Sequence, residues 1–188
     1  MLLLLADGSQ LSVTELPGHG PWTFLVVQPE HLGPDPGAAG LEVGGAARAL
    51  TRFGRAVVPD LRGRPGWGQG PGGPGFLDLV DDLDQVRTRA GLGRPVLVGL
   101  GELVPVAQRA AADQPWAWRA VVLAPPATPP EAAASPAATA GLDRLVLPAL
   151  VLDAEPVSAA GVAALERLLG RLGGGPGWAG IAPDAPPR

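Results

Sequence analysis

Apolar and polar positions along the chain fall into short blocks, and the block type changes from a period of two to a period near 3.6. Leu2 to Leu5 is apolar, Asp7-Gly8 interrupts it, and Gln10 to Leu16 alternates, which predicts a β-hairpin closed by a tight turn at Asp7-Gly8. A loop over Gly18 to Pro21 leads to Thr23-Phe24-Leu25-Val26-Val27. An unbroken apolar run of that length, bounded by turn residues, fits a strand buried on both faces. Gly33 to Gly40 reads as loop, and Leu41, Ala46, Leu50 and Phe53 carry helical spacing up to the stop at Gly54. Ala56-Val57-Val58 is a short strand, and Arg62 to Gly75 is irregular.

The second half repeats the alternation. Phe76 to Ala90 is an amphipathic helix with Leu77, Val80, Leu83 and Val86 facing one way and Asp81, Asp82, Asp84 and Arg87 the other. Pro95 to Leu100 is a buried strand, Val104 to Ala112 a helix, and Trp118 to Leu123 a strand. Pro125 to Ala140 is a loop rich in proline and alanine. Leu147 to Leu152 is the last strand, Val157 to Leu172 the last helix, and residues 173–188 a loosely packed tail. No internal repeat is visible. The 188 residues form one domain, long enough to bury about 70% of the unfolded surface. Strand and helix alternate after residue 23, which implies an α/β fold: a mainly parallel sheet with helices on both faces and an N-terminal antiparallel hairpin.

Composition narrows the function classes. The net charge is −4 and the pI about 5.1, which argues against nucleic acid or an anionic membrane as partner. There is no cysteine, and the two histidines are His19 and His31, so thiolate and histidine-rich metal sites are excluded and no cofactor is expected. The apolar start Met1 to Leu5 is too short for a signal core or a membrane span, so a cytoplasmic protein is expected. Lysine, asparagine and tyrosine are absent and isoleucine occurs once, while Ala, Gly, Pro and Arg abound. A GC-rich genome, as in some bacteria, accounts for that bias. Arginine-only basicity therefore says little about function.

Two stretches resemble the α/β-hydrolase superfamily. Arg55-Ala56-Val57-Val58-Pro59-Asp60-Leu61-Arg62-Gly63-Arg64 is similar to the family's fourth strand and exit loop. Asp82 to Val86, followed by Leu92 to Gly99, resembles the helix and strand that enter the nucleophile elbow, and Arg119 to Ala124 the next strand. The resemblance spans roughly residues 1 to 170. It implies a Gly-x-Ser-x-Gly elbow with the nucleophile on a strained strand-to-helix turn. Here the elbow reads Gly99-Leu100-Gly101-Glu102-Leu103, with glycine in place of the nucleophile. Asp153 or Glu155 lies where the resemblance puts the triad acid, and no histidine follows His31. A Ser-His-Asp triad in the family's order cannot be built. The connection from Pro125 to Leu147 is too short for a folded lid, and Gly173-Gly174-Gly175 replaces a last strand, so the fold is a truncated one.

The pocket of such a sheet lies at the carboxyl ends of its strands. Gln28, Glu30, His31, Trp67, Leu100, Gly101, Glu102, Asp153 and Glu155 are the residues expected there. His31 with Glu102, or His31 with Glu30, is the candidate catalytic pair, since a carboxylate and an imidazole in contact exchange a proton near neutral pH. Against that stands a plainer reading, in which His31 is a loop histidine and Glu102 an early-turn carboxylate favoured by the helix dipole. Ser9, Ser12, Ser135 and Ser158 lack an elbow context. Gly66 to Gly75 lacks the Gly-Lys-Ser/Thr ending of a phosphate loop. Trp22, Trp116, Trp118 and Trp178 read mainly as packing residues.

Three functions follow as expectations. The first is a protein that binds a small apolar ligand and assists a non-hydrolytic acid/base step of lyase, isomerase or cyclase type. The second is a pseudoenzyme that works through a protein partner. The third is a residual esterase-like hydrolase.

Overall fold

The computed structural model describes residues 1–29, 45–61, 64, 75–125, 144–152 and 159–173. Seven strands form one sheet: β1 (Leu2–Leu4), β2 (Gln10–Leu16), β3 (Trp22–Val27), β4 (Gly54–Pro59), β5 (Val96–Leu100), β6 (Ala120–Ala124) and β7 (Ala149–Val151). Four helices are described: α1 (Gly45–Leu50), α2 (Phe76–Arg89), α3 (Val104–Asp113) and α4 (Ala159–Arg171). The strand order is β1-β2-β4-β3-β5-β6-β7. β1 and β2 are antiparallel and β2 lies antiparallel on β4, while β4, β3, β5, β6 and β7 run parallel. The expected mainly parallel sheet with an antiparallel hairpin at one edge is the fold observed.

The order explains why helices cover both faces. The chain steps outward from β3 to β4, then returns to the other side of β3 for β5 and β6. Right-handed crossovers running in opposite directions must cross opposite faces. Accordingly, Ala47 and Leu50 of α1 and Leu165 and Leu169 of α4 pack on Phe24, Val26, Val98 and Val122. Leu79, Leu83 and Val86 of α2 and Val104, Ala107 and Ala111 of α3 pack on Leu25, Val57, Leu97 and Val121. Every residue of β5 and β6 is buried, as their unbroken apolar runs require.

The differences from the sequence reading have physical causes. The hairpin loop has three residues rather than a two-residue turn. Leu5 N–H bonds Ser9 O at 2.8 Å, Gly8 N–H bonds Leu5 O at 3.1 Å, and Gly8 adopts φ 81°. That is a turn followed by a left-handed glycine, the usual build of a three-residue loop. α1 ends at Leu50, and Thr51 to Phe53 form a turn into β4, so the helix stops short of Phe53. β6 starts at Ala120, because Pro115–Ala117 forms a 3-10 turn that carries Trp118 into the core ahead of the strand. β7 has three residues instead of six.

The buried stripe of α2 is also rotated from the expected one. Phe76, Leu79, Val80, Leu83 and Val86 are buried together with Asp82, whereas Leu77 is 57% exposed. Arg64 draws Asp82 inward: its Nε donates to Asp82 Oδ2 at 2.7 Å and Nη2 to Asp82 Oδ1 at 2.9 Å. The same guanidinium donates to Asp7 Oδ2 at 2.9 Å and to Ser9 Oγ. One arginine thus ties the hairpin loop, the exit of β4 and α2 together. Trp22 and Trp118 are core residues as expected, but Trp116 is 68% exposed.

Candidate functional site

The strand order switches sides at β3, with β4 on one side and β5 on the other, and a parallel sheet opens its crevice at the carboxyl ends beside such a switch point. β3 delivers Gln28 and Pro29 there, and β5 delivers Leu100, Gly101 and Glu102. The strands pair with Val27 opposite Gly99. Continued for two residues, that register sets Pro29 beside Gly101.

β5 passes into α3 through a tight turn. Leu100 is extended, at φ −119° and ψ 145°, and Gly101 swings to φ 57°. Residues Gly101–Leu103 then make one 3-10 turn, and α3 begins at Val104 with Pro105 in its first turn, where its missing N–H costs no helix bond. A strand that must enter a helix over one residue needs that left-handed step, which glycine takes without the Cβ penalty of other residues. Gly99 has a different reason to be glycine. A β-carbon there would stand 2.5 Å from Ala107 Cβ, so its absence lets α3 lie directly on β5.

What differs is the space above the turn. A β-carbon on Gly101 would stand 2.8 Å from Pro29 Cγ and 3.3 Å from Cδ. The proline ring of the β3 exit thus crowds any side chain at position 101. Leu103, where the hydrolase pattern has its second glycine, is buried in the core shared by α2 and α3. The leucine anchors the start of α3 by packing.

The sequence-derived site residues divide into two groups. Gln28 is buried at the end of β3, and Leu100 is buried against the α1 and α4 face. Gly101 is half-buried under Pro29. Glu102 is exposed, with no hydrogen-bond or ion-pair partner among the described residues. It stands at the entry to α3, where the helix dipole favours a carboxylate. Glu30, His31, Trp67, Asp153 and Glu155 lie outside the described residues, as does the pairing of Glu102 with His31. Pro29 is the site residue that the sequence reading missed. Its signal was the register between the two apolar strands, which pairing alone makes visible.

The perturbed ionisable groups lie elsewhere, in the Arg64 cluster. Hydrogen bonds from the hydroxyl and the backbone N–H of Ser9, with Arg64 beside them, lower Asp7 to about 2. Burial raises the pKa of Asp82 and outweighs the opposing Arg64 guanidinium. Asp82 in turn holds Arg64 protonated to higher pH than usual. Four of the five guanidinium N–H donors of Arg64 are spent on joining three segments, so the cluster reads as a structural clamp. Among the described residues, no group of three or more His, Asp or Glu side chains could hold a metal ion. No described helix is long and apolar enough to cross a membrane. A cavity of about 600 Å³ lies at the opposite, amino-terminal end of the strands.

No family model matches the chain, and neither does any curated protein. Solved structures similar to it include the epoxide hydrolase VrEH1 from Vigna radiata, at 23% identity and a TM-score of 0.47 over 66% of this chain and 39% of that one. Haloalkane dehalogenase DbeA from Bradyrhizobium elkani is 21% identical, with a TM-score of 0.43 over 62% and 38% of the two chains. An alpha/beta fold family hydrolase from Bacillus anthracis is 13% identical, with a TM-score of 0.46 over 66% and 42%. The chain therefore spans about two fifths of the length of these proteins. They are α/β-hydrolase-fold proteins.

Proposed function

We propose that this protein is a non-hydrolytic binding protein on an α/β-hydrolase scaffold, taking a small apolar ligand at the carboxyl ends of its strands. One observation carries the reading: Gly101 keeps the left-handed elbow, while the Pro29 ring crowds the space that a side chain at position 101 would need. A scaffold that had merely lost a serine would leave that space open. Here the space is filled from β3, so regaining a hydroxyl at 101 requires β3 to move.

The surroundings support binding over triad chemistry. Leu100 and Gln28, buried at the carboxyl ends of β5 and β3, would supply a ligand there with an apolar side chain and an amide, the usual mixture in small-molecule sites. Glu102 is exposed at the entry to α3 and has no partner among the described residues. Any proton transfer by Glu102 depends on a partner such as His31 and on closure around a ligand. Fold alone does not supply an activity, so the reading rests on the elbow geometry.

Two measurements on the intact protein test it. A serine-directed fluorophosphonate is expected to leave the protein unlabelled, and labelling that disappears on changing one serine would restore the hydrolase reading. A thermal-shift series with apolar carbonyl compounds is expected to find a stabilising ligand, because binding to the folded state alone adds about 2.7 kcal/mol at 100 times Kd. A series in which no compound moves the melting temperature overturns the binding reading.

A further inference from the structure

The cavity at the amino ends of the strands has a chemistry unlike the rest of this acidic chain. Its walls include Arg55 from β4, Arg94 ahead of β5 and Arg119 ahead of β6, with Trp22, Leu92 and Leu172 as its apolar surface. Among the described residues, no carboxylate lines it. At about 600 Å³ it falls within the size range of small-molecule sites.

The three arginines are not equivalent. Arg55 is answered by Glu15, with Nη1 3.3 Å from Oε1. Arg119 is held in place, its guanidinium 5.1 Å from the centre of the Trp22 ring and its Nη2 donating to Leu172 O at 3.2 Å. Arg94 donates one N–H to Trp118 O at 3.0 Å and has no carboxylate partner among the described residues. A guanidinium has five N–H donors in a planar fork, so one carbonyl bond leaves Arg94 able to take a carboxylate. A guanidinium with donors to spare, in a cavity whose apolar surface is an indole and two leucines, matches a carboxylate on an apolar body.

We propose that this cavity binds a small monocarboxylate, its carboxylate on Arg94 and its apolar portion on Trp22, Leu92 and Leu172. The site is separate from the elbow at the other end of the sheet and does not depend on the function proposed for it. Helix ends explain part of the arginine content, since Arg119 satisfies a carbonyl just past α4. They do not explain Arg94, which reaches a backbone carbonyl in the turn before β6 from an exposed position.

The test is a calorimetric titration of the full chain with 4-phenylbutyrate and with its neutral amide, at fixed ionic strength. Saturable binding of the carboxylate is expected, at least tenfold weaker for the amide. Arg94→Gln should weaken the carboxylate tenfold or more and leave the amide unchanged. Arg109→Gln, on the far face of α3, should change neither. The proposal is overturned if the carboxylate shows no saturable binding, if the amide binds equally well, or if folded Arg94→Gln matches the parent.

Discussion

Replacing Gly101 by alanine adds one carbon atom and tests the central feature of the elbow. Two costs follow from the structure. The left-handed backbone at φ 57° disfavours any residue with a β-carbon by about 1 kcal/mol. The new carbon would also stand 2.8 Å from Pro29 Cγ, well inside the roughly 3.5–4.0 Å of a normal carbon contact. A proline ring closed onto its own backbone has little room to retreat, and overpacking of this kind costs about 1–3 kcal/mol. The sum is about 3 kcal/mol, equivalent to a fall of roughly 6–12 °C in melting temperature for a domain this size. Calorimetry or circular dichroism on heating reads it directly. A double-mutant cycle separates the two terms: with Pro29→Ala already present, the cost of Gly101→Ala should drop to the backbone term of about 1 kcal/mol. The reasoning is refuted if Gly101→Ala melts within about 1 °C of the parent, or if Pro29→Ala gives no relief. Gly101→Ser should be destabilised to a similar extent and should gain no esterase activity.

Other expectations follow from single contacts. Asp82→Ala leaves the largely shielded Arg64 guanidinium with Asp7 as its remaining carboxylate partner and should cost about 1–3 kcal/mol by denaturant unfolding. Leu103→Ala, in the core between α2 and α3, should cost about 2–4 kcal/mol, which shows that this leucine now does structural work at the elbow. Asp7 is lowered to about 2 in the folded state, so its contribution is present above the unfolded value near 3.9 and is lost as the pH falls toward 2. Acid unfolding monitored from pH 5 to 2 should therefore be less steep in Asp7→Asn than in the parent. Asp82 has the opposite sign, because burial raises its value and its ionisation opposes folding as the pH rises through the unfolded value.

The sheet was legible from its apolar runs. Thr23 to Val27, Pro95 to Leu100 and Trp118 to Leu123 could only be strands buried on both faces, and their alternation with helices fixed the parallel pairing. Element ends were less legible, because they depend on contacts between distant residues. Asp82 looked like a solvent-facing member of an acidic helix until Arg64, eighteen positions earlier, turned it inward. Leu77 looked like core by spacing, but the buried stripe of α2 runs through Phe76, Leu79, Val80, Leu83 and Val86 and leaves it out. At the site, Gly101 was visible as a departure from a pattern. That Pro29 covers it was not, since it follows from strand register, which local sequence does not encode.

The Arg64 clamp has a consequence for the order in which the chain comes apart. It joins residues 7, 9, 64 and 82, so no stretch of local sequence can form it, and it closes after the segments on both sides are in place. The hairpin is attached to the rest of the sheet along one edge, through β4. Without the clamp, β1 and β2 can peel from β4 while β3, β5 and β6 remain protected between their helices. Native-state hydrogen exchange should then resolve two cooperative units in Arg64→Ala where the parent exchanges as one. In that sense residue 64 is a stitch between an edge and a core that would otherwise open independently.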